Sequence, residues 1–207
     1  MLLRFCFLLC LFMAGSLRAQ QADSVYLAEI VRHREHYKQE FLTEERSPLT
    51  ARDTALLDFF PPEPAWHFPA RVERTPDAQP FEMPTYSGRT KPFVRYGIVH
   101  FQVAGKPCRL ALYQNLNLAQ QEAYKDYLFL PFKDHSNGDA TYGGGRYLDF
   151  RLGDIAANGT LLLDFNKAYN PWCAYSDGYN CPIPPAENHL QFAVEAGEKQ
   201  YKGEKKH

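Results

Sequence analysis

FVRYGIVHFQVAGKPCRLALY, residues 93–113, decides how the chain folds. Val94, Tyr96 and Ile98 fall on one side and Val99, Phe101 and Val103 on the other, the two-residue period of a strand. Ala104-Gly105-Lys106-Pro107 is turn chemistry, and Cys108 to Tyr113 returns as a second strand. Leu110 and Leu112 share a face with Cys108, which makes that thiol a buried small hydrophobe.

Working outward, the same signals recur on the C-terminal side. Tyr127–Phe132 (YLFLPF) is an apolar strand, and Arg146–Leu152 and Thr160–Phe165 form a pair joined by Gly153-Asp154 and Asn158-Gly159 turns. His189–Glu195 alternates as a last strand. On the N-terminal side, Pro61, Pro62, Pro64, Pro69, Pro76, Pro80, Pro84 and Pro92 exclude helix and leave short extended pieces. Those pieces are 66–68 and 71–74, read as edge strands, and 81–86.

Before the prolines the period changes to three or four. Leu27, Ile30, Val31, Tyr37 and Phe41 mark an amphipathic helix that Asp23 can cap, with His33 and His36 on its polar face. Ser47-Pro48 ends it, and Thr50 with Asp53 opens a second helix carrying Leu56, Leu57 and Phe60. The expectation is a mainly β, α+β fold: two N-terminal helices, then an antiparallel sheet, sandwich or barrel of about eight short strands.

At 207 residues the chain can hold one domain with a real core. Residues 1–19 read as a signal peptide: Arg4, the apolar run Phe5–Met13, then Ala14-Gly15-Ser16 and Ala19 before a cut. That run is too short to span a bilayer, so an exported protein, periplasmic or secreted, with no transmembrane segment in the mature chain is expected. Residues 20–60 are then a helical segment packed on the β-rich part, 61–207. Removing residues 1–19 takes Lys+Arg from 23 to 21 against 24 Asp+Glu, and the formal charge from −1 to −3. Without a basic face, a nucleic-acid partner is excluded. The lysine-rich tail, Lys199–Lys206, reads as a frayed end.

The densest cluster of special residues is Tyr142–Asn188: three glycines, Cys173 and Cys181, several prolines, and a run of amides, carboxylates and tyrosines. Together, RSPLT (46–50), YGGGRYLDF (142–150), LDFNKAYNPWCAYSDGYNCPIPPAENHL (163–190) and AGEK (196–199) resemble the bacterial domain-of-unknown-function family 1684. The resemblance spans most of the mature chain and marks 142–188 as the signature. It implies no activity, substrate or cofactor.

Gly143-Gly144-Gly145 leads into a strand rather than a helix, so it is a tight turn and not a phosphate cradle. Arg146 beside it can hold a carboxylate or phosphate of a ligand, or form an ion pair with Asp149 or Asp164. Asp164 and Asn166 project to one face at the end of an apolar strand, followed by Tyr169 and Asn170. With Tyr142, Glu187 and Asn188 these are the candidate ligand-binding residues. Export favours a Cys173–Cys181 disulfide closing a nine-residue loop, over a catalytic thiol, a metal site with His189 or two free thiols. Asp134, Ser136, Asn137 and Asp139 make a polar turn too short for a calcium loop, and no metal site is read from the chain.

Three functions are consistent with these residues. One is a binding protein holding a small polar or anionic ligand in a pocket of the 142–188 motif. Another is a hydrolase-like enzyme with Asp164 or Glu187 as acid–base group and Arg146 stabilising negative charge. The third is a structural envelope protein without a ligand.

Overall fold

The computed structural model describes residues 2–207, with side chains described from Asp23 onward; the expected signal peptide, residues 1–19, lies outside those side chains. Seven strands form one sheet: β1 (His67–Arg74), β2 (Phe81–Pro84), β3 (Thr90–Val103), β4 (Lys106–Asn115), β5 (Tyr127–Phe132), β6 (Arg146–Arg151) and β7 (Thr160–Asp164). The order is β6-β5-β4-β3-β1-β7, with β2 beside β3, and every pairing is antiparallel.

The β3–β4 hairpin turns through Ala104 at φ 49° and Gly105 at φ 75°, with Val103 opposite Lys106. Two consecutive left-handed residues match the twist of the strands they join. Tyr96 is an extra residue between Arg95↔Tyr113 and Gly97↔Leu112, a bulge that bends β3. The strand before the bend pairs with β2, and the strand after it with β1. Gly97 is obligatory there, because a Cβ would lie 2.6 Å from the Glu73 carbonyl oxygen.

The bend curls the sheet into about half a barrel rather than a closed barrel or sandwich. Its largest apolar cluster includes Val99, Leu110, Leu112, Leu128, Leu130, Phe132, Leu161, Leu163 and Phe165. A second cluster holds Met83, Phe93, Tyr113, Phe129 and Tyr147. After β7 the chain crosses to the far edge, where Tyr169 and Tyr147 exchange backbone bonds of 3.1 and 2.9 Å on the outer side of β6.

Several expectations change. The first helix, α1, runs Leu2–Thr43, so Asp23 lies inside it and caps nothing. The second, α2, is one turn, Ala51–Thr54; past it the Leu56 and Leu57 N–H groups bond back to Asp53 and Thr54 in tight turns, so Leu56, Leu57 and Phe60 lie beyond the helix. The two pieces merge into one continuous strand, β1, from His67 to Arg74, between β3 and β7 rather than at an edge, with Trp66 in the short 3-10 turn before it. His189–Glu195 alternates in burial but joins no ladder. The tail is not frayed: the Lys206 N–H donates to Tyr175 and its carbonyl accepts from Asp177, each at 2.9 Å. Cys108 is half-buried against the core rather than enclosed, and it is a free thiol. Cys173 and Cys181 are disulfide-bonded, with Cα atoms 6.3 Å apart.

Candidate functional site

A cleft of about 680 Å³ separates α1 from the β6 edge and the segment after β7. On the helix its wall is His33, Arg34, Tyr37, Glu40 and Phe41, one stripe at helical spacing, continued by Glu44 just past the helix end. The facing wall is Leu148, Asp149 and Phe150 of β6, and Asp164, Asn166, Lys167 and Tyr169. Tyr124, Asp154, Trp172, Phe59 and His67 also contribute.

Asp149 is the chemical focus. Its Oδ1 accepts from the Tyr127 hydroxyl at 2.7 Å and its Oδ2 from the Tyr169 hydroxyl at 2.8 Å. The residue is exposed to water, with the side chains of the cleft crowded around its carboxyl. That enclosure raises its pKa, and the two tyrosine hydrogen bonds hold the rise back. Because water reaches the carboxyl, its upward shift is smaller than for a sealed group.

The helix is pinned at both ends of the cleft. At one end Tyr26 donates to Asp164 at 2.9 Å, accepts from the Asn166 amide at 2.8 Å and stacks on His67 at 4.5 Å. Asn166 also bridges the backbone of Glu63, accepting its N–H and donating to its carbonyl, both at 2.9 Å. Nearby, burial and the charge of Lys167 lower the His33 pKa, so the ring is neutral at pH 7; it lines the cleft rather than an open polar face. At the other end Tyr37 donates to Glu198 at 3.2 Å, and Tyr175 donates to the same carboxyl at 2.7 Å. The backbone N–H of Asn170 adds a third bond to Glu198, at 2.8 Å. Burial pushes the Glu198 carboxyl up to about 7 despite those three bonds.

Of the residues singled out in the sequence, Asp164, Asn166 and Tyr169 meet on this cleft. Arg146 does not: its side chain is wholly buried and paired with Asp134 at 2.8 Å, not with Asp149 or Asp164. The same guanidinium donates to the carbonyls of Val194, Ala196 and Glu198. It therefore takes the place of a neighbouring strand for that segment. Asn188 plays a similar part between β4 and β5. Its side chain accepts from the Ala111 N–H at 2.6 Å and donates to the carbonyls of Ala111 and Pro131 at 2.8 and 2.7 Å. Pro131 has no N–H to offer a partner, and the amide side chain spans the gap.

Asn170 is buried, donating to Lys199 O at 2.8 Å. Glu187 is on the surface, paired with Arg95 at 3.0 Å and accepting from Tyr113 at 2.6 Å. Tyr142 lies on a separate open depression with Tyr86 and Cys173. Sequence reasoning missed Asp149 as a site residue, although an acid at a β-face position between Leu148 and Phe150 was a signal for it. Glu198 gave no signal beyond its place in AGEK.

The family model described as "Protein of unknown function (DUF1684)" matches residues 53–199, and the chain belongs to that family. The solution NMR structure of an uncharacterized protein from Haloarcula marismortui is similar, at 28% identity and TM-score 0.66, over 86% of this chain and 96% of that one. No curated protein matches the sequence. No helix among the described residues is long and apolar enough to cross a membrane, which says nothing of spanning by strands.

Proposed function

We propose that this is an exported binding protein, periplasmic or secreted, whose cleft between α1 and the β6 edge takes a small polar ligand. The observation that carries the reading is Asp149: a water-accessible carboxylate, fixed by Tyr127 and Tyr169, in a recess of about 680 Å³. Ligand sites are concave, largely apolar and carry a few oriented polar groups. The aromatic side chains of its walls and the oriented Asp149 carboxylate fit that description. Asp164, Asn166 and Tyr169 of the signature belong to the same recess, and α1 supplies the other wall.

A thermal-shift screen of metabolites, sugars, nucleotides and divalent metals tests the reading. A compound at about a hundred times its dissociation constant stabilises by roughly 2.7 kcal/mol, a rise of several degrees for a chain this size. The expected result is a hit whose shift is lost in Asp149→Asn. Hits that shift Asp149→Asn as much as the parent would move the site elsewhere, and a screen with no hits would count against binding.

One observation favours a second reading, a hydrolase-like enzyme. A carboxyl with a raised pKa beside an open cavity is suited to proton transfer, and Asp149 is such a group. In that reading Asp149 takes the acid–base role. Turnover of a screening hit by the parent but not by Asp149→Asn would favour it over binding alone.

A further inference from the structure

We propose that Glu198 is a proton switch for the α1 wall of the cleft: with its proton it locks the Tyr37 hydroxyl in place, and without it that hydroxyl is released toward the cleft. The consequence for a ligand rests on the binding reading above. Three contacts between side-chain oxygens close a ring. Tyr37 lies 3.2 Å from Glu198 Oε2, Tyr175 lies 2.7 Å from Glu198 Oε1, and the two hydroxyls are 3.0 Å apart. Each contact needs one hydrogen to become a bond, and the two hydroxyls bring only two. An ionised carboxylate therefore leaves one pair of oxygens facing each other with no hydrogen between them. A protonated carboxyl supplies the third: Oε2–H donates to Tyr37, Tyr37 to Tyr175, and Tyr175 to Oε1. The Asn170 N–H, 2.8 Å from Oε2, has its acceptor in both states. Glu198 and Tyr175 are fully buried, so bulk water does not supply the missing donor.

Tyr37 is the member of the ring that can move. Its bond to the carboxyl is the longest of the three, and its side chain is half-buried and lines the cleft. Tyr175 is instead wedged between Phe41 and Tyr201, with ring centroids at 5.6 and 5.2 Å. When Glu198 ionises, turning the Tyr37 hydroxyl toward the cleft removes the unbridged contact and brings that hydroxyl to water, while Tyr175 and Asn170 keep the carboxylate. The rings packed on Tyr37 feel the motion: Phe41 at 5.1 Å, Phe59 at 6.3 Å and Tyr169 at 5.9 Å. Tyr169 in turn holds Asp149. A ligand fitted to the wall as described is thus held more tightly below the switching pH than above it.

The surrounding charges leave the switch within reach of neutral pH. Arg146 of β6 faces Glu198 and favours its ionised form, but that guanidinium is paired with Asp134 at 2.8 Å and donates to the Glu198 backbone carbonyl at 3.2 Å. Lys199, the next residue, is drawn to Asp58 at 3.2 Å. On α1, Glu40 adds negative charge on the Tyr37 side, and Asp149 does so from β6 through Tyr169. Burial outweighs the remaining influences and sets the change at about pH 7.

The test is a pH titration by NMR of protein carrying ¹³C in its Glu and Tyr side chains, with a soluble paramagnetic probe reporting exposure. No ligand is present, so the outcome is separate from whether the cleft binds anything. The Glu198 carboxyl is expected to titrate near pH 7, with the Tyr37 ring signals moving at the same midpoint and broadening more strongly in the probe above it. In Glu198→Gln, whose amide cannot ionise, both the Tyr37 midpoint and the gain in exposure should vanish. A Glu198 carboxyl ionised throughout, or a Tyr37 ring that stays still or follows a different midpoint, overturns the switch. The parent protein alone gives that answer should the variant not fold. Ring signals that shift with Glu198 but gain no exposure overturn the release of the hydroxyl, and a Tyr37 midpoint that survives in Glu198→Gln overturns the assignment to Glu198.

Discussion

Glu198 is fully buried and has no ion-pair partner among the described residues, only hydroxyl and N–H donors from Tyr37, Tyr175 and Asn170. Its pKa rises from the ordinary 4.5 to about 7 on folding, so the folded state binds the proton more tightly than the unfolded one. Stability from this group is full below pH 4.5 and is lost as pH rises to about 7, a decline on the order of 3 kcal/mol. Glu198→Gln keeps an acceptor for the tyrosines and should flatten that decline in urea melts across the window. Asp149, also raised, contributes slope of the same sign. Asp53 acts in the opposite sense and in another range: held down to about 2, chiefly by Lys206, it favours the fold above its ordinary pKa and loses that as pH falls. Arg146 presents a different balance, because its ion pair with Asp134 is sealed from water. Arg146→Ala would strand the carboxylate and three carbonyls, at a cost of about 3–5 kcal/mol in chemical denaturation. Arg146→Lys should recover less than half, since one ammonium cannot reach that fan of acceptors.

At the scale of elements, the sheet depends on two side chains standing in for backbone. Asn188 spans the gap between β4 and β5, where backbone pairing is limited to Tyr113↔Phe129. Asn188→Ala would leave a buried N–H and two carbonyls unmet, and roughly 3–5 kcal/mol of stability should be lost in urea. The strands flanking this gap were readable because their alternation is local: Phe93–Tyr113 and Tyr127–Phe132 need nothing beyond their own side chains to declare themselves. His189–Glu195 alternates just as well, and Leu190 and Val194 are buried as a strand would bury them. Its backbone, however, bonds to Lys133, His135 and the guanidinium of Arg146, partners distant in sequence. Periodicity reports which side chains turn inward but not what answers the carbonyls, so this segment was misread. The candidate site was half legible for the same reason. Asp164, Asn166 and Tyr169 stand out in one stretch, whereas the opposite wall, from His33 to Glu44, reaches the site only through the docking of α1.

At the scale of the whole molecule, an irregular C-terminal chain does what an eighth strand or a second sheet would otherwise do. The Cys173–Cys181 bridge closes a short loop near its start, and the Tyr86 N–H donates to the Cys181 carbonyl at 3.0 Å, tying the loop to the end of β2. In the chain from residue 20 onward, one reactive thiol, Cys108, is expected without reductant and three with it, and reduction should cost roughly 2.5 kcal/mol. Residues beyond the bridge matter more. Val194 and Ala196 are fully buried, their carbonyls belong to Arg146, and Glu198 ties α1 to the body. Removing residues 194–207 would thus open the core, orphan a buried guanidinium and release the helix together, and no cooperative thermal transition is expected in near-ultraviolet circular dichroism. Removing only 200–207 should act differently. It takes the Tyr201 ring from Tyr175, at 5.2 Å, and the Lys206 ammonium from Asp53 and the Pro48 carbonyl, at 2.6 and 2.7 Å. It leaves Arg146 and Glu198 satisfied, so this shorter deletion should melt cooperatively at a lower temperature. Equal behaviour of the two truncations would mean that the Arg146–Glu198 region does not hold the half-barrel shut.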